Sequence, residues 1–460
     1  MQKQARSGRW PCWRRWPPLK RIRRGLWRHS SIGLKWVFKL KSDEHGEIVK
    51  HKTRLIAKGY VQQHGINFEE VFAPITGIES VRVVLALAAH CGWSVHHMDV
   101  KSTFLNGELV EEVYGAQPPW FTAAGHGGKV LRLCTAFSKG VEPQARHKLG
   151  FTKSKYEHGL YMRGAEASRL VVGVYVDDLL IMGERLTEID AFKVEMKKLF
   201  CMSDLGPLSY YLGIESAYAI KFLKKPDIGS CNACTTPTEV RLKLAKQGTL
   251  PVVDATLYRS LIGSLRYLLH TRLELTFAIG YLSRFMEELR LEHMVAMKHL
   301  LCYIKGTSDH GLLYTNNGGE LNLLGYSGSD MVGDVDVRKS TTGVIFFLGS
   351  IPGQQWRARR SGSGSHHRRL LEDIIGAKIP SPMLKMDNQS AIALSKNLVL
   401  RDRSKHIDMK FHFIHECVDK GDIDIELAGT QEQFADILTK SLRKKAFQEL
   451  RGRIEVIKLN

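Results

Sequence analysis

Regular alternation of apolar and polar residues begins at Lys35. Two strand-like runs, KWVFKLK and GEIVKHKTRLIAKGYV, flank a turn-forming Asp-Glu-His-Gly segment, and together they predict a β-hairpin. Residues 79–91, ESVRVVLALAAHC, then place apolar side chains at helical spacing behind an acidic first residue. That spacing predicts a helix following the hairpin.

The pattern changes several times further along the chain. SVHHMDVKSTFL and LVVGVYVDDLLIMG are rich in strand-forming residues, helical spacing returns at 186–200 and 258–306, and strand-like alternation resumes at 321–349. No repeat is evident, and Gly- and Pro-containing junctions near 206–216 and 316–320 are candidate boundaries. The pattern therefore predicts an α+β protein with more than one domain.

Composition limits the class of protein. With 460 residues, of which 43% are hydrophobic, the chain is long enough for two to four domains with buried cores. It contains no run of eighteen apolar residues, so a membrane protein is not expected. The eight cysteines are scattered apart from the pair Cys231 and Cys234. We interpret this pair as ordinary loop cysteines, because a structural zinc site needs two further ligands at matching spacing.

The net charge of +20 is concentrated in short stretches. Residues 1–30 hold ten Lys and Arg and no acid, and 357–369 add five Arg. Basic surfaces attract polyanions and release counterions on binding. Residues 1–31 form a basic Trp- and Arg-rich segment without helical or strand periodicity. We expect this segment to be unrelated to the rest of the chain, to be disordered and to bind nucleic acid indiscriminately.

Three carboxylates are the first candidates for chemistry. Asp177 and Asp178 interrupt the apolar run from Leu170 to Met182, where they are costly unless they lie in a turn or hold a cation. Taken alone, the pair favours a solvated hairpin turn. Asp99 ends the strand-like SVHHMDV and is placed to be a third carboxylate. Three carboxylates at adjacent strand ends can hold two divalent ions for phosphoryl transfer.

Several motifs then occur in a specific order: MDVKSTFLNGELVEEVY, VGVYVDDLLIMG and LIGSLRYLLHTR, after the opening hairpin sequence. In this order they resemble the reverse transcriptase region of plant copia-type LTR-retrotransposon polyproteins, from about Ile32 to the C-terminal end. The resemblance implies reverse transcriptase fingers and palm at 32–215, a thumb- or connection-like helical region at 216–318, and an RNase H-like α/β domain at 319–460. Protease and integrase motifs are not evident, so we expect a fragment of a polyprotein.

The resemblance also implies roles for individual residues in the palm. It makes Asp99, Asp177 and Asp178 the catalytic carboxylates and ligands of Mg²⁺ or Mn²⁺, with Tyr175 and Val176 completing the Tyr-Val-Asp-Asp turn. Such an enzyme would act on an RNA template, a DNA primer, their RNA–DNA hybrid and deoxynucleoside triphosphates. Its expected location is the cytoplasm, within a virus-like particle in the intact family, or the nucleus.

Three further residues match nucleotide-binding positions of the family. Phe104 matches the aromatic residue that excludes a ribose 2′-hydroxyl. Arg54 and Lys58 match finger residues that neutralise the incoming triphosphate. A solvated strand face remains the alternative interpretation for these two cations.

The C-terminal motifs GYSGSDMVGDVDVRKSTTGVIFFLG, MDNQSAIALSKN and FADILTKSL are similar to the RNase H domain of the same elements. Asp387 and Asp436 match catalytic carboxylates, but Gly328 occupies the position of the first one, with Asp330 two residues on. The Arg-rich stretch 352–371 does not resemble the helix that carries the family's catalytic Glu, and we expect it to replace that helix. The family assigns structural or substrate-facing roles to His406, His412 and His415.

Two departures affect the polymerase part. The segment that supports template and base in the family is altered and shortened here to TAFSKGVEPQARHKLGF, and a hairpin after YYLGIE is missing. Because positioning supplies much of phosphoryl-transfer catalysis, we expect the polymerase to be weak or inactive. The alternatives are a catalytically inert remnant that binds nucleic acid without specificity, and a host-adopted nucleic-acid-binding protein.

Overall fold

We describe the fold from a computed structural model. It describes residues 32–42, 48–58, 76–101, 108–116, 131–135, 149–165, 168–208, 232–246, 250–314, 319–330, 333–336, 338, 340–349, 355–358, 363–396 and 416–458. The basic segment 1–31 and the altered template segment between 136 and 148 lie outside this part. Among the described residues, no helix has the length and apolar character needed to cross a bilayer.

Two small antiparallel sheets precede the larger ones. Strands β1 (Leu34–Ser42) and β2 (Ile48–Ala57) form the hairpin that the alternating pattern predicts. Strands β4 (Glu108–Gly115) and β5 (Leu131–Thr135) form the second pair. A bridge between Ile32 and Gly115 links the two sheets, which form the part of the chain expected to be the fingers.

A six-stranded antiparallel sheet, in the strand order β10-β3-β9-β8-β7-β6, lies in the part of the chain expected to be the palm, and we call it the palm sheet. Two of its strands, β8 and β9, are the halves of one tight hairpin. The strand bounds are β3 (Ser94–Val100), β6 (Thr152–Lys153), β7 (Leu160–Arg163), β8 (Leu170–Tyr175), β9 (Asp178–Gly183) and β10 (Met202–Pro207).

One helix covers each face of the palm sheet. Helix α1 (Ile78–Cys91) lies on the face that carries Leu180 and Met182, and helix α2 (Leu186–Leu199) packs on the face that carries Leu179 and Ile181. Both faces of the strands are therefore buried, which explains why LVVGVY and DLLIMG read as nearly continuous apolar runs.

The helical region comprises α3 (Ala255–Leu268), α4 (Thr276–Leu282) and α5 (Leu291–Gly306). Asp254 caps α3, since its carboxylate accepts a hydrogen bond from the Thr256 amide at 3.0 Å. The Tyr258 hydroxyl donates to the Leu282 carbonyl at 2.7 Å and so fixes α3 against α4. These helices occupy the stretch for which the sequence predicts helical structure.

The C-terminal sheet has five strands in the order β14-β13-β12-β15-β16. Strands β12, β13 and β14 are antiparallel, whereas β15 and β16 run parallel to β12. The bounds are β12 (Leu323–Ser329), β13 (Thr342–Leu348), β14 (Gln355–Ala358), β15 (Met383–Met386) and β16 (Asp424–Leu427).

Helices α6 (Ser363–Ile375), α7 (Gln389–Lys396), α8 (Asp436–Thr439) and α9 (Lys444–Arg453) accompany this sheet. A short pair, β11 (His310–Leu312) and β17 (Val456–Lys458), joins the chain end to the helical region. The architecture confirms the predicted α+β class, with an α/β domain at the C-terminal end.

Our expectation for the Arg-rich stretch 352–371 is wrong in one respect. Helix α6 begins inside it, at Ser363. The reason is packing: Leu370, Leu371 and Ile374 recur at helical spacing and are fully buried, so they supply an apolar stripe despite the basic residues between them. The helix nevertheless has no acidic residue in its first turn, so the family's catalytic Glu has no counterpart there.

The palm and the C-terminal domain share one hydrophobic cluster. Val83 and Leu87 of α1 belong to the same buried cluster as Phe346 of β13 and Leu371 of α6. Helix α1 is thus covered by the palm sheet on one side and by the C-terminal domain on the other. The boundary predicted near 316–320 separates two units in sequence but not two independent cores.

A buried histidine in α6 gives this joint core an acid-sensitive point. Burial, and secondarily the neighbouring His366, lowers the pKa of His367 from 6.5 to about 3. Between these pH values the unfolded chain takes up a proton that the folded chain does not. Stability is therefore expected to fall as the pH drops below 6.5, by up to about 1.4 kcal/mol per pH unit.

We expect His367→Leu to flatten this pH dependence, measured as the urea-unfolding free energy between pH 7 and pH 4.5. The exposed neighbour His366 provides the control, and His366→Leu should leave the slope in place. An unchanged slope in His367→Leu would show that other groups cause the acid sensitivity.

Candidate active site

The Asp177–Asp178 pair lies at the tip of the β8–β9 hairpin. Tyr175 is the last residue of β8 and pairs with Asp178, the first residue of β9, so Val176 and Asp177 form a two-residue turn. Val176 has φ 58°. Tight hairpin turns require a left-handed residue, but a β-branched side chain is strained in that conformation. The hairpin therefore needs support from its surroundings to keep this shape.

Asp99 lies on the neighbouring strand, directly opposite Asp178. The Val100 amide donates to the Asp177 carbonyl at 2.7 Å, which makes Val100 and Asp177 a hydrogen-bonded pair. Asp99 and Asp178 are then the adjacent non-hydrogen-bonded pair, in which Cα atoms are about 4.5 Å apart and side chains approach most closely. The structure thus places the three carboxylates selected from the sequence at neighbouring strand ends, where their side chains are not yet grouped closely enough to hold an ion.

The pKa of Asp99 is raised above its ordinary value. Burial is the largest cause, followed by repulsion from Asp177 and then from Asp178, while His97 and Lys101 partly offset the shift. Like charges directly opposite each other destabilise an antiparallel pair. The site therefore concentrates negative charge and would gain from a cation between the carboxylates.

His97 is a residue of this site that the sequence analysis missed. Its Nε2 atom lies 2.8 Å from Asp178 Oδ1, and its side chain is only 6% exposed. Since an ionised carboxylate can only accept, the histidine donates this hydrogen bond and holds Asp178 in one orientation. The available signal was the spacing, because His97 precedes Asp99 by two residues and so shares its strand face.

Removing the charge of Asp99 should stabilise the fold. Because the folded-state pKa of Asp99 is raised, the penalty is absent at low pH and complete once the pH exceeds that pKa. We expect Asp99→Asn to raise the unfolding free energy by about 0.5–1 kcal/mol at pH 7 without divalent ions, and to have no effect near pH 3. Urea titration at both pH values tests this, with exposed Asp424→Asn as the control. Destabilisation at pH 7 would contradict it.

The nucleotide-binding predictions are only partly covered by the structure. The Arg54 backbone lies in β2, opposite Val37, while its side chain and Phe104 lie outside the described part. Lys58 follows β2 and is exposed. Its side-chain stem lies over Gly33, since a Cβ added to Gly33 would be 3.2 Å from Lys58 Cδ. Their role in triphosphate binding stays a prediction.

A second carboxylate pair lies at the C-terminal ends of β12 and β15. Asp387 directly follows β15, and Asp436 begins α8. A Cβ added to Gly328 would lie 3.6 Å from Asp436 Oδ1. The three family positions therefore converge at the end of the parallel strands, but one of them carries no side chain.

The surroundings of Asp436 act on its pKa in both directions. Burial raises its pKa, Lys440 opposes the shift, and Asp387 adds repulsion. The Lys440 ammonium lies 2.8 Å from Asp436 Oδ1 and forms an ion pair with it. This partly buried acid is thus paired with a cation of its own chain.

The nearby acids are engaged elsewhere. The Asp330 carboxylate accepts the Thr341 amide, Glu372 Oε1 accepts the Ile379 amide at 3.1 Å, and Asp373 Oδ2 accepts from Ser154 Oγ at 2.6 Å. None of the three hydrogen bonds leads to Asp436. The part that Asp330 plays in the RNase H remnant stays a prediction.

The remaining metal candidates do not form a site. Cys231 and the three histidines His406, His412 and His415 lie outside the described residues, and Cys234 Sγ is 3.9 Å from His299 Nδ1. Within the described ranges, no three His, Cys, Asp or Glu side chains, the palm carboxylates included, form a group ready to hold a metal ion.

The antiparallel palm sheet, the acidic hairpin with a third carboxylate on the next strand, and the α/β domain behind them together define a reverse transcriptase fold. Residues 27–240 match the family model described as reverse transcriptase (RNA-dependent DNA polymerase). Over most of its length the chain is similar to retrovirus-related Pol polyproteins from copia-type plant retrotransposons. Enzymes of this family use divalent metal ions.

Two relatives illustrate this similarity. The chain is 31% identical to the Pol polyprotein from transposon RE1 of Arabidopsis thaliana over 93% of its length, covering 32% of that protein. It is 33% identical to the Pol polyprotein from transposon TNT 1-94 of Nicotiana tabacum, with coverages of 90% and 35%. The chain thus spans about a third of the length of these curated relatives.

Among solved structures, the foamy viral protease-reverse transcriptase in complex with dsDNA is similar, with 10% identity, a TM-score of 0.40, and coverage of 85% of this chain and 77% of that one.

Proposed function

We propose that this chain is an RNA-directed DNA polymerase whose active centre is formed by Asp99, Asp177 and Asp178. The observation that supports it most is the placement of Asp99 opposite Asp178 beside the acidic turn. The hydrogen bond from His97 engages Asp178 and does not account for the other two carboxylates. Their repulsion is a cost to the fold, which a role in cation binding accounts for.

The donor set fits Mg²⁺ or Mn²⁺. Carboxylate oxygens are the ligands that these hard cations prefer, and burial with mutual repulsion raises the pKa of Asp99. We propose that Asp99, Asp177 and Asp178 hold the ions; when bound, such ions activate the primer hydroxyl and neutralise the leaving pyrophosphate.

The surrounding residues have supporting roles in this proposal. His97 fixes the orientation of Asp178 through its 2.8 Å hydrogen bond. Arg54 and Lys58 bind the triphosphate, Phe104 excludes the 2′-hydroxyl, and Tyr175 with Val176 shapes the turn that presents the acids. The substrates are an RNA template, a DNA primer, their hybrid and deoxynucleoside triphosphates.

The primer-extension assay tests this function directly. We expect slow Mg²⁺-dependent incorporation on an RNA template, because the template-support segment is altered, and complete loss in Asp177→Asn. Asp190→Asn, an exposed acid of α2, is the matched control and should keep the activity. If wild-type extension is absent, or equal in Asp177→Asn, the chain is an inert remnant that binds nucleic acid by charge.

A further inference from the structure

A short turn of the palm connects the C-terminal domain to the acidic hairpin. The turn spans residues 154–159 and joins β6 to β7. Its centre is Ser154, whose side-chain oxygen accepts hydrogen bonds from the amides of Tyr156 and Glu157 at 3.2 and 3.3 Å. Because both contacts use the oxygen as acceptor, its proton is free to be donated outward.

The proton of Ser154 is donated to a residue of the C-terminal domain. Ser154 Oγ lies 2.6 Å from Asp373 Oδ2, and the Lys155 amide donates to the same oxygen at 3.3 Å. Ser154 itself is buried. The rings of Tyr156 and His366 meet edge to face beside this contact, with centroids 6.4 Å apart. A carboxylate from α6 thus completes a turn that belongs to the palm.

Asp373 is poorly placed for its own helix. It lies in the last turn of α6, which ends at Ile375. The C-terminal end of a helix carries partial negative charge, so an acid there is unfavourable. Helix stability does not explain Asp373, whereas its contacts with Ser154 and Lys155 do.

The other side of the same turn holds the strand that leads into the acidic hairpin. The Gly159 carbonyl accepts from the Val174 amide at 2.8 Å. The Thr76 hydroxyl lies 3.0 Å from both the Gly159 and the Val174 carbonyl oxygens. Val174 lies three residues before Asp177 in the sequence. The turn therefore contacts the end of β8 just before the catalytic tip.

Glu157 ties the turn to helix α1 as well, because its Oε2 atom accepts from the Gly77 amide at 3.3 Å. Helix α1 in turn packs against α6 within the shared hydrophobic cluster. Two routes thus link α6 to β8, one polar through Ser154 and one apolar through α1.

We propose that Asp373 is a positioning residue for the Asp177–Asp178 hairpin, and that the C-terminal domain supports the polymerase site through it. The catalytic role of that hairpin rests on the function proposed above. A two-residue turn with a strained Val176 keeps its shape only when neighbouring contacts over-determine it. The damaged RNase H-like domain thereby has a structural use that needs no nuclease activity.

Hydrogen exchange in the full-length chain tests the proposal without relying on activity. We expect Asp373→Ala to accelerate exchange of the Val174 and Val100 amides about tenfold, as loss of a charge-assisted hydrogen bond does. Amides of α3, far from this contact in sequence, should stay unchanged. Ser154→Ala should reproduce the effect, and the double variant should add little, since both remove one contact.

Primer extension supplies the second measurement. The Mg²⁺ concentration for half-maximal rate should rise several-fold in Asp373→Ala, with the rate at saturating Mg²⁺ largely kept, and Asp373→Asn should recover part of the loss. Exposed Asp424→Ala serves as the matched control.

The outcomes separate the two proposals. Unchanged exchange at Val174 and Val100, or equal acceleration throughout α3, overturns the positioning role even if the chain extends primers. Local acceleration in a chain that never extends primers supports the structural coupling and overturns the polymerase function.

Discussion

Replacing Arg272 with Met is expected to lower the unfolding free energy by about 3–5 kcal/mol. The side chains of Arg272 and Glu274 are 1% and 0% exposed, and Arg272 Nε lies 2.6 Å from Glu274 Oε1. The guanidinium also donates to the carbonyl and hydroxyl oxygens of Thr307, both at 2.7 Å. It thereby ties the loop between α3 and α4 to the end of α5. Without Arg272, a buried carboxylate and two acceptors lose their partner.

The double variant Arg272→Met, Glu274→Leu is the control. Since an apolar pair of similar volume leaves no buried charge, most of the lost stability should return. Urea unfolding at pH 7 measures all three chains. A loss below about 1 kcal/mol in Arg272→Met would contradict the interpretation that this pair secures the helical region.

The full-length chain is expected to leave the RNA strand of an RNA–DNA hybrid intact, in Mg²⁺ and in Mn²⁺. Hydrolysis needs ions held between several carboxylates. Of the three positions matched to the family's aspartates, 387 and 436 keep their acids, Gly328 supplies no ligand, and Lys440 Nζ lies 2.8 Å from Asp436 Oδ1. Helix α6 has no acid in its first turn.

Gly328→Asp sharpens this test. Its carboxylate would enter beside Asp436, since the added Cβ lies 3.6 Å from Asp436 Oδ1. We expect this variant to be stabilised by Mn²⁺ in thermal unfolding, by about 1 kcal/mol or more at ten times the Kd, and still not to cleave. Metal-dependent cleavage by the wild type that is lost in Asp387→Asn would show that another acid completes the site.

The elements closest to the polymerase site follow from local sequence patterns. The opening hairpin, helix α1 and the β8–β9 hairpin lie where alternation, helical spacing and strand-forming apolar runs, respectively, predict them. The convergence of Asp99 with the Asp pair also agrees with the apolar strands around it. Local patterns succeed here because each strand carries enough buried residues to determine its own register.

Contacts between distant segments could not be read in the same way. Ser154 and Asp373 are separated by 219 residues, and no pattern around either one identifies its partner. The sequence analysis did not predict helix α6, because Leu370, Leu371 and Ile374 follow a run of basic residues. These three side chains are buried in the cluster that they share with α1. In both cases tertiary packing, which the local sequence does not record, determines the structure.

Mn²⁺ binding, followed by electron paramagnetic resonance, tests most directly whether the palm carboxylates form one cation site. The measurement uses the full-length chain carrying Asp436→Asn. This substitution removes the carboxylate of the C-terminal domain that would compete most with the palm for Mn²⁺. In this background we expect saturable Mn²⁺ binding that Asp99→Asn and Asp177→Asn each weaken at least tenfold, while Asp190→Asn leaves it unchanged. Equal Mn²⁺ affinity in all four chains would contradict the assignment of Asp99 and Asp177 to a common metal site.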